Sequence, residues 1–286
     1  MRNFFKKLWH IITFPVRLII WPFRRIKSFI DYEPEESSIP DAFAETIAHP
    51  IVLLDHLNAL RTHLLRAVIA LVAGVMISFL FTHYVLDWLS SPIGGIENLQ
   101  AIEVTESVAA YMRVALLSGL TLAFPCIAFE FFQFVNPGLR RSERIFILIA
   151  APVSAILFSA GMAFAYYILL PTALPFLLGF MGITTVPRPA NYVTFVTGLM
   201  FWIGIAFQFP LIIYVLASIG VVNAQILKSG WRFAIVGIAL VAAMITPTVD
   251  PVNMALVMAP MTILYFASIL LAGIAQQKRN RRLDNE

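Results

Sequence analysis

Residues 110–170, AYMRVALLSGLTLAFPCIAFEFFQFVNPGLRRSERIFILIAAPVSAILFSAGMAFAYYILL, read as an apolar run, a short basic connector and a second apolar run. A helix needs about 20 mostly apolar residues to cross the hydrocarbon layer of a bilayer, and both runs, at about 109–135 and 145–170, are long enough. Working outward, similar runs occupy about 64–86, 192–219, 232–245 and 252–273, with the turn-rich TPTVDP at 246–251 between the last two. The predicted fold is all-α: a polytopic membrane protein with six transmembrane helices, the last two short or tightly connected. Composition agrees. Of 286 residues 60% are hydrophobic and 13% charged, against roughly 25% charged in soluble globular chains, which excludes a water-soluble globule. The fifth run is short: about 14 residues rise only about 21 Å.

The basic residues set the orientation, because short loops rich in Lys and Arg stay in the cytoplasm. Nine precede or open the first span (Arg2, Lys6, Lys7, Arg17, Arg24, Arg25, Lys27, Arg61, Arg66), and the second-to-third connector holds Arg140, Arg141 and Arg144. Lys228 and Arg232 lie between the fourth and fifth spans, and Lys278, Arg279, Arg281 and Arg282 end the chain. The opposite loops hold only Arg188, and Arg113 lies just inside the second span. Both termini are therefore expected to be cytoplasmic. Residues 1–50 read as a cytoplasmic extension, with an amphipathic stretch bent at Pro15 and Pro22 and an acidic linker, 51–275 as the transmembrane core and 276–286 as a basic tail. Arg17 divides the early apolar stretch, which argues against a cleavable signal peptide.

No phosphate-cradling G-x-x-x-x-G-K-[ST], G-x-S-x-G or HExxH occurs, the five histidines are scattered, and Cys126 is alone. An enzyme, a metal site, a cofactor and a nucleic-acid partner are not expected. Polar groups at membrane depth are costly, so Glu130, Gln133 three residues later, and Gln208 beside Pro210 are candidates for function; buried packing pairs would account for them equally. Ala151, Ala155, Ser159 and Ala163 recur every four residues and suggest a close-packing helix face. At the cytoplasmic surface Glu143 stands among Arg140, Arg141 and Arg144, and Asp55 precedes Arg61. Both carboxylates are either local ion-pair partners or grips for an incoming guanidinium. A six-span secondary transporter for a small solute, using Glu130, is the alternative on these features.

HLNALRTHL at 56–64, LSSP at 89–92, EVTESVAAYMRVAL at 103–116, FVNPGLRRSER at 134–144, FQFPLIIYVLASIGVV at 207–222, RFAIVGIALVAAMITPTVDP at 232–251 and APMTILY at 259–265 follow in order. This series resembles the TatC family, the multispanning receptor of the twin-arginine protein translocase, over roughly residues 50–275. The resemblance implies a Sec-independent translocase subunit of the cytoplasmic membrane that binds twin-arginine signal peptides and organises the transport of folded proteins, driven by the proton-motive force. It implies TatA- and TatB-type single-span partners, a homo-oligomer within the receptor complex, and contact with membrane lipids. Expected signal-peptide residues are Glu143, Asp55, Leu60, Arg61, Phe134, Pro137 and Arg144. Expected outer-loop and partner-helix residues are Pro92, Glu106, Gln208, Met244, Thr246, Pro247 and Asp250. The chain departs from the family pattern at Ala59, Gln208 and Phe266, where acids are common; Asp55, one turn before Ala59, can offer a carboxylate on nearly the same face.

Overall fold

In the computed structural model the first apolar run is not one helix. Helix α1, Pro50–Ser78, ends in a turn at residues 79–81, and α2, Thr82–Ser90, follows. The Ser78 carbonyl accepts both the Phe81 N–H at 3.0 Å and the Thr82 hydroxyl at 2.7 Å, which tightens the chain there and replaces helical bonding. Two short 3₁₀ turns, Ser91–Ile93 and Ile96–Asn98, lead to α3, Glu106–Val135. Helix α4, Arg141–Phe164, passes through a π-turn, Ala165–Leu169, into α5, Leu170–Gly179. There the Leu170 N–H bonds the Ala165 carbonyl one residue before Pro171, whose ring removes a donor and crowds the preceding turn.

The fourth run is divided too: α6, Pro189–Ala206, and α7, Phe209–Ser218, are separated at Phe207 and Gln208, because Pro210 cannot donate to the Ala206 carbonyl. A short α8, Ala224–Ser229, and α9, Trp231–Ile245, come before α10, Pro251–Leu283. The structure describes residues 50–135, 141–179, 185–218, 220–246 and 251–283, all helix or connection among them. Five helical stretches are long and apolar enough to cross a membrane: Leu57–Ser78, Glu106–Phe134, Ile149–Gly179, Pro189–Ser218 and Pro251–Arg281. A shorter apolar helix, α9, has 15 residues and is about 22 Å long, as short as the fifth run was expected to be. The last helix corrects the reading of a short final span ending near residue 273, since it continues through Leu283 and carries Lys278, Arg279 and Arg281. Hydropathy falls at that point, but Ala, Gln, Lys, Arg and Leu are all good helix formers.

The chain divides into two compact units. One comprises Met1–Ile77 with Gly119–Ala155. Here α1 crosses α3 with backbones nearly touching: a Cβ on Gly74 would lie 2.4 Å from the Gly119 carbonyl oxygen, and one on Gly119 would lie 2.5 Å from the Val75 Cα. Small residues at such a crossing gain dispersion contact that no larger side chain permits. Ala70, Ala123, Phe124, Ala128 and Phe132 are buried in this unit, while Leu64, Leu65, Val68, Ile69, Val72 and Met76 of α1 stand exposed, as lipid-facing side chains do.

The other unit comprises Ser78–Ser118 with Ile156–Glu286. Its buried set includes Phe158, Leu170, Tyr192, Val193, Val196 and Ile203. α10 packs on α7, α8 and α9. Of the small-residue face expected on α4, Ala151 is buried and Ala155 half-buried, but Ser159 and Ala163 are exposed; at that level the close approach is at Gly161, where a Cβ would lie 2.9 Å from the Gly204 Cα. Tyr hydroxyls tie the connections down. Tyr166 donates to the Trp88 carbonyl at 2.6 Å and stacks on the Trp88 ring, and Tyr192 donates to the Leu89 carbonyl at 2.7 Å.

Candidate functional site

Glu130 is the buried carboxylate of the first unit, 6% exposed. α3 carries it inward near its C-terminal end, opposite the N-terminal half of the antiparallel α1. His63 meets it there: the ring Nδ1 lies 2.6 Å from Glu130 Oε2, and Arg66 Nη1 approaches the same oxygen at 3.7 Å. A carboxylate removed from water needs such donors, and the two basic groups are set three residues apart so that they share one face of α1. His63 also presents its ring edge-on to Phe134, with centroids 6.4 Å apart, one turn beyond Glu130. Gln133 is half-buried beside this group on α3, and Leu60 and Arg61 are exposed on α1. The arrangement is a polar clasp that joins α1 and α3 where the chain is about to leave for the Glu143 connector.

The sequence reading singled out Glu130 but missed its partner. Depth was the available signal: His63 lies at the start of the first span and Glu130 five residues from the end of the second, so antiparallel packing brings them to one level. Asp55, Glu143 and Arg144 are placed on the backbones of α1 and α4, but their side chains, like Pro137, Pro247 and Asp250, fall outside the described residues.

Of the expected outer-loop and partner-helix residues, Pro92, Glu106, Gln208, Met244 and Thr246 belong to the second unit. Glu106, 3% exposed at the start of α3, accepts from Arg188 Nε at 2.8 Å and also from Nη2, while Nη2 reaches Glu103 Oε1 at 3.2 Å. The Gln100 N–H donates to the Pro187 carbonyl at 3.2 Å alongside them. Glu106 and Glu103 hold the Arg188 guanidinium above its ordinary pKa, so it is charged at any pH the protein meets. Arg188, noted in sequence only as the exception to the charge asymmetry, is thus the tie between the segments that enter α3 and α6. Pro92 lies exposed in the first 3₁₀ turn. Gln208 is buried at the α6–α7 break, Thr246 is buried and donates to the Ala242 carbonyl at 3.0 Å, and Met244 is 81% exposed on α9. Among the described side chains, Leu60, Arg61 and Phe134 belong to the first unit.

Long apolar helices with costly polar groups held at their ends define a multi-pass helical membrane protein. Residues 55–260 match the family described as Sec-independent protein translocase protein (TatC), and the chain belongs to that family. It is 33% identical over 250 residues to the Sec-independent protein translocase protein TatC of Deinococcus radiodurans, covering 84% of this chain and 92% of that protein. With the protein of the same name from Synechocystis it shares 37% identity over 220 residues, covering 76% and 86% of the two chains. A crystal structure described as the twin arginine translocase receptor TatC superposes with a TM-score of 0.69 at 33% identity, over 77% of this chain and 99% of that one. The chain is a component of the Sec-independent twin-arginine translocase, and the alternative of a small-solute transporter is not supported.

Proposed function

We propose that the chain is the signal-peptide receptor of the translocase, acting without catalysis of its own. It binds the twin-arginine signal peptides of folded cargo at the cytoplasmic face and organises their transport, driven by the proton-motive force, with TatA- and TatB-type proteins and further copies of itself. In this reading the five long helices and α9 make six spans, both termini are in the cytoplasm of a cell whose inner membrane holds the protein, and residues 51–275 are the core between the N-terminal extension and the basic tail.

The observation that carries the reading is the His63–Glu130 clasp. Asp55 precedes His63 by eight residues on α1, about 12 Å along the axis, and Glu143 follows Phe134 through the basic connector. The clasp joins α1, which carries Asp55, to α3, the helix that precedes the connector to α4 and Glu143. A planar guanidinium can give a carboxylate two parallel hydrogen bonds, which a lysine ammonium cannot, so a paired-acid receptor distinguishes Arg-Arg from Lys-Lys. Arg140, Arg141 and Arg144 would repel a basic peptide, and Glu143 has to offset them. Leu60 and Phe134 offer apolar surface to the residues that flank the arginine pair, and Arg61 and Pro137 shape its edge.

Binding of a labelled signal peptide and its twin-lysine variant to the reconstituted protein tests this. A charge-assisted contact contributes about 1.5–3 kcal/mol, roughly 10- to 150-fold in affinity. Glu143→Gln is expected to weaken the twin-arginine peptide by about that factor and to shrink its advantage over twin-lysine, with Asp55→Asn doing less. If Glu143→Gln binds both peptides as the parent does, the receptor-site assignment is wrong.

A further inference from the structure

From residue 145 to 249 the sequence contains no Asp or Glu, and none occurs from 251 to 283. Lys228 and Arg232 fall in the first of these stretches, so their positive charge has no carboxylate close by in sequence, whereas Asp284 and Glu286 directly follow the tail cations Lys278, Arg279, Arg281 and Arg282; among the described residues neither Lys228 nor Arg232 forms an ion pair. The counter-charge must come from elsewhere.

The fold gathers part of this charge at the base of the shortest span. α8 is held against α10 by the Tyr265 hydroxyl, which donates to the Leu227 carbonyl at 2.6 Å, and by the Ala224 N–H, which donates to Gln276 Oε1 at 3.4 Å. Ile213, Ala217, Ala272 and Ala275 form the buried seam below them, with Tyr214, Ala224 and Leu227 packed against it. The α7–α8 turn adopts a positive φ of 84° at Gly220, and the missing Cβ leaves the space that the Arg279 guanidinium fills: a Cβ there would lie 1.8 Å from Nη1. Lys228 lies in the last turn of α8 and Arg232 in the first turn of α9, and the Arg232 guanidinium lies 5.7 Å from the centre of the Trp231 ring. An open cleft of about 520 Å³ is lined by Lys228, Ser229, Trp231, Arg232, Phe233 and Val236.

The cleft is two-sided in its chemistry. Cations and an indole mark one end, and from the other an apolar stripe climbs α9 through Phe233, Val236, Leu240 and Met244, which are 83%, 60%, 64% and 81% exposed. Their spacing keeps them on one helix face. A ligand that matches both ends has an anionic head and an apolar tail. A twin-arginine segment does not, since it would meet like charge.

We propose that this cleft is a binding site for one anionic phospholipid, its phosphate between Lys228 and Arg232 and its acyl chains along Phe233, Val236 and Leu240, short of the partner-helix candidate Met244. Trp231 sits at the headgroup level, where its amphipathic ring is favoured. The shortness of α9 strengthens the case, because a span of about 22 Å draws headgroups deeper beside it than the roughly 30 Å hydrocarbon core otherwise allows. The site is independent of the signal-peptide reading and is occupied with or without cargo.

Tryptophan quenching in vesicles tests it. The full chain is reconstituted in phosphatidylcholine containing a small fraction of brominated phosphatidylglycerol or the same fraction of brominated phosphatidylcholine. The Trp231 signal is the difference between the parent and Trp231→Phe, since the chain has five tryptophans. Two basic residues near an anionic headgroup enrich it roughly 30-fold, so Trp231 quenching by the anionic lipid should far exceed that by the neutral one. Lys228→Gln with Arg232→Gln should bring the two close together, and the charge-preserving pair Lys228→Arg with Arg232→Lys should keep them apart. Equal quenching of the parent by both lipids overturns the proposal whatever the variants do, and is the result expected if a partner helix covers the face. Loss of the preference in 10 mM inorganic phosphate at constant ionic strength overturns it as well, since a site for phosphate alone would behave so.

Discussion

Removing His63 from Glu130 should reveal how strongly α1 and α3 are joined. Their bond is 2.6 Å long, and the two side chains are 18% and 8% exposed. Hydrogen bonds between membrane helices average about 0.6 kcal/mol in double-mutant cycles, whereas bonds to a charged group that leave a buried partner unsatisfied cost about 1.5–3 kcal/mol when broken. The short distance and the low exposure place this pair in the second class. Arg66, 3.7 Å from the same oxygen, remains in His63→Ala and recovers part of the loss. The expected coupling between His63→Ala and Glu130→Ala is therefore about 1.5 kcal/mol, measured by reversible unfolding of the parent, both single variants and the double variant in mixed micelles. His63→Gln, which keeps a donor, should lose about half as much as His63→Ala. A coupling below about 0.5 kcal/mol would refute the reasoning, because the clasp would then be no stronger than an ordinary polar contact and could not hold α1 firmly against α3.

Gly119→Leu should sharply lower the yield of folded protein in detergent, because its Cβ would meet the Val75 backbone at 2.5 Å, whereas Gly237→Ala, with nothing within 4 Å of its Cβ, should be neutral by the same size-exclusion measurement. Arg188→Gln should free the segments entering α3 and α6, read as faster cleavage by added protease near residue 100; an unchanged cleavage rate would show that the tie is redundant. In a background without Cys126, a cysteine at Ser91 or Asn191 should react with an impermeant maleimide only from outside the cell and one at Ser229 only from the cytoplasm; the reverse pattern would end the six-span orientation.

Much of this protein follows from local properties of its chain. Whether a segment can cross a membrane depends on its own apolar length, so the apolar runs, the short fifth among them, were legible without any contact. Family motifs are short and continuous, and the sequence carried them to the TatC family. Helix ends were less legible, because hydropathy and helix propensity are different quantities: α10 outruns its apolar stretch, and the breaks at Ser78 and Gln208 depend on which hydroxyls and prolines claim which carbonyls.

The pairings belong to the tertiary structure alone. Glu130 could be marked as costly from its depth, but that His63 and Arg66 face it follows from a crossing that Gly74 and Gly119 permit. Arg188 meets Glu106, 82 positions away in sequence, through tertiary structure as well. A charge in a sequence states a need for a partner, and only the packing of helices, set by small residues far from either charge, decides which partner lies within 3 Å.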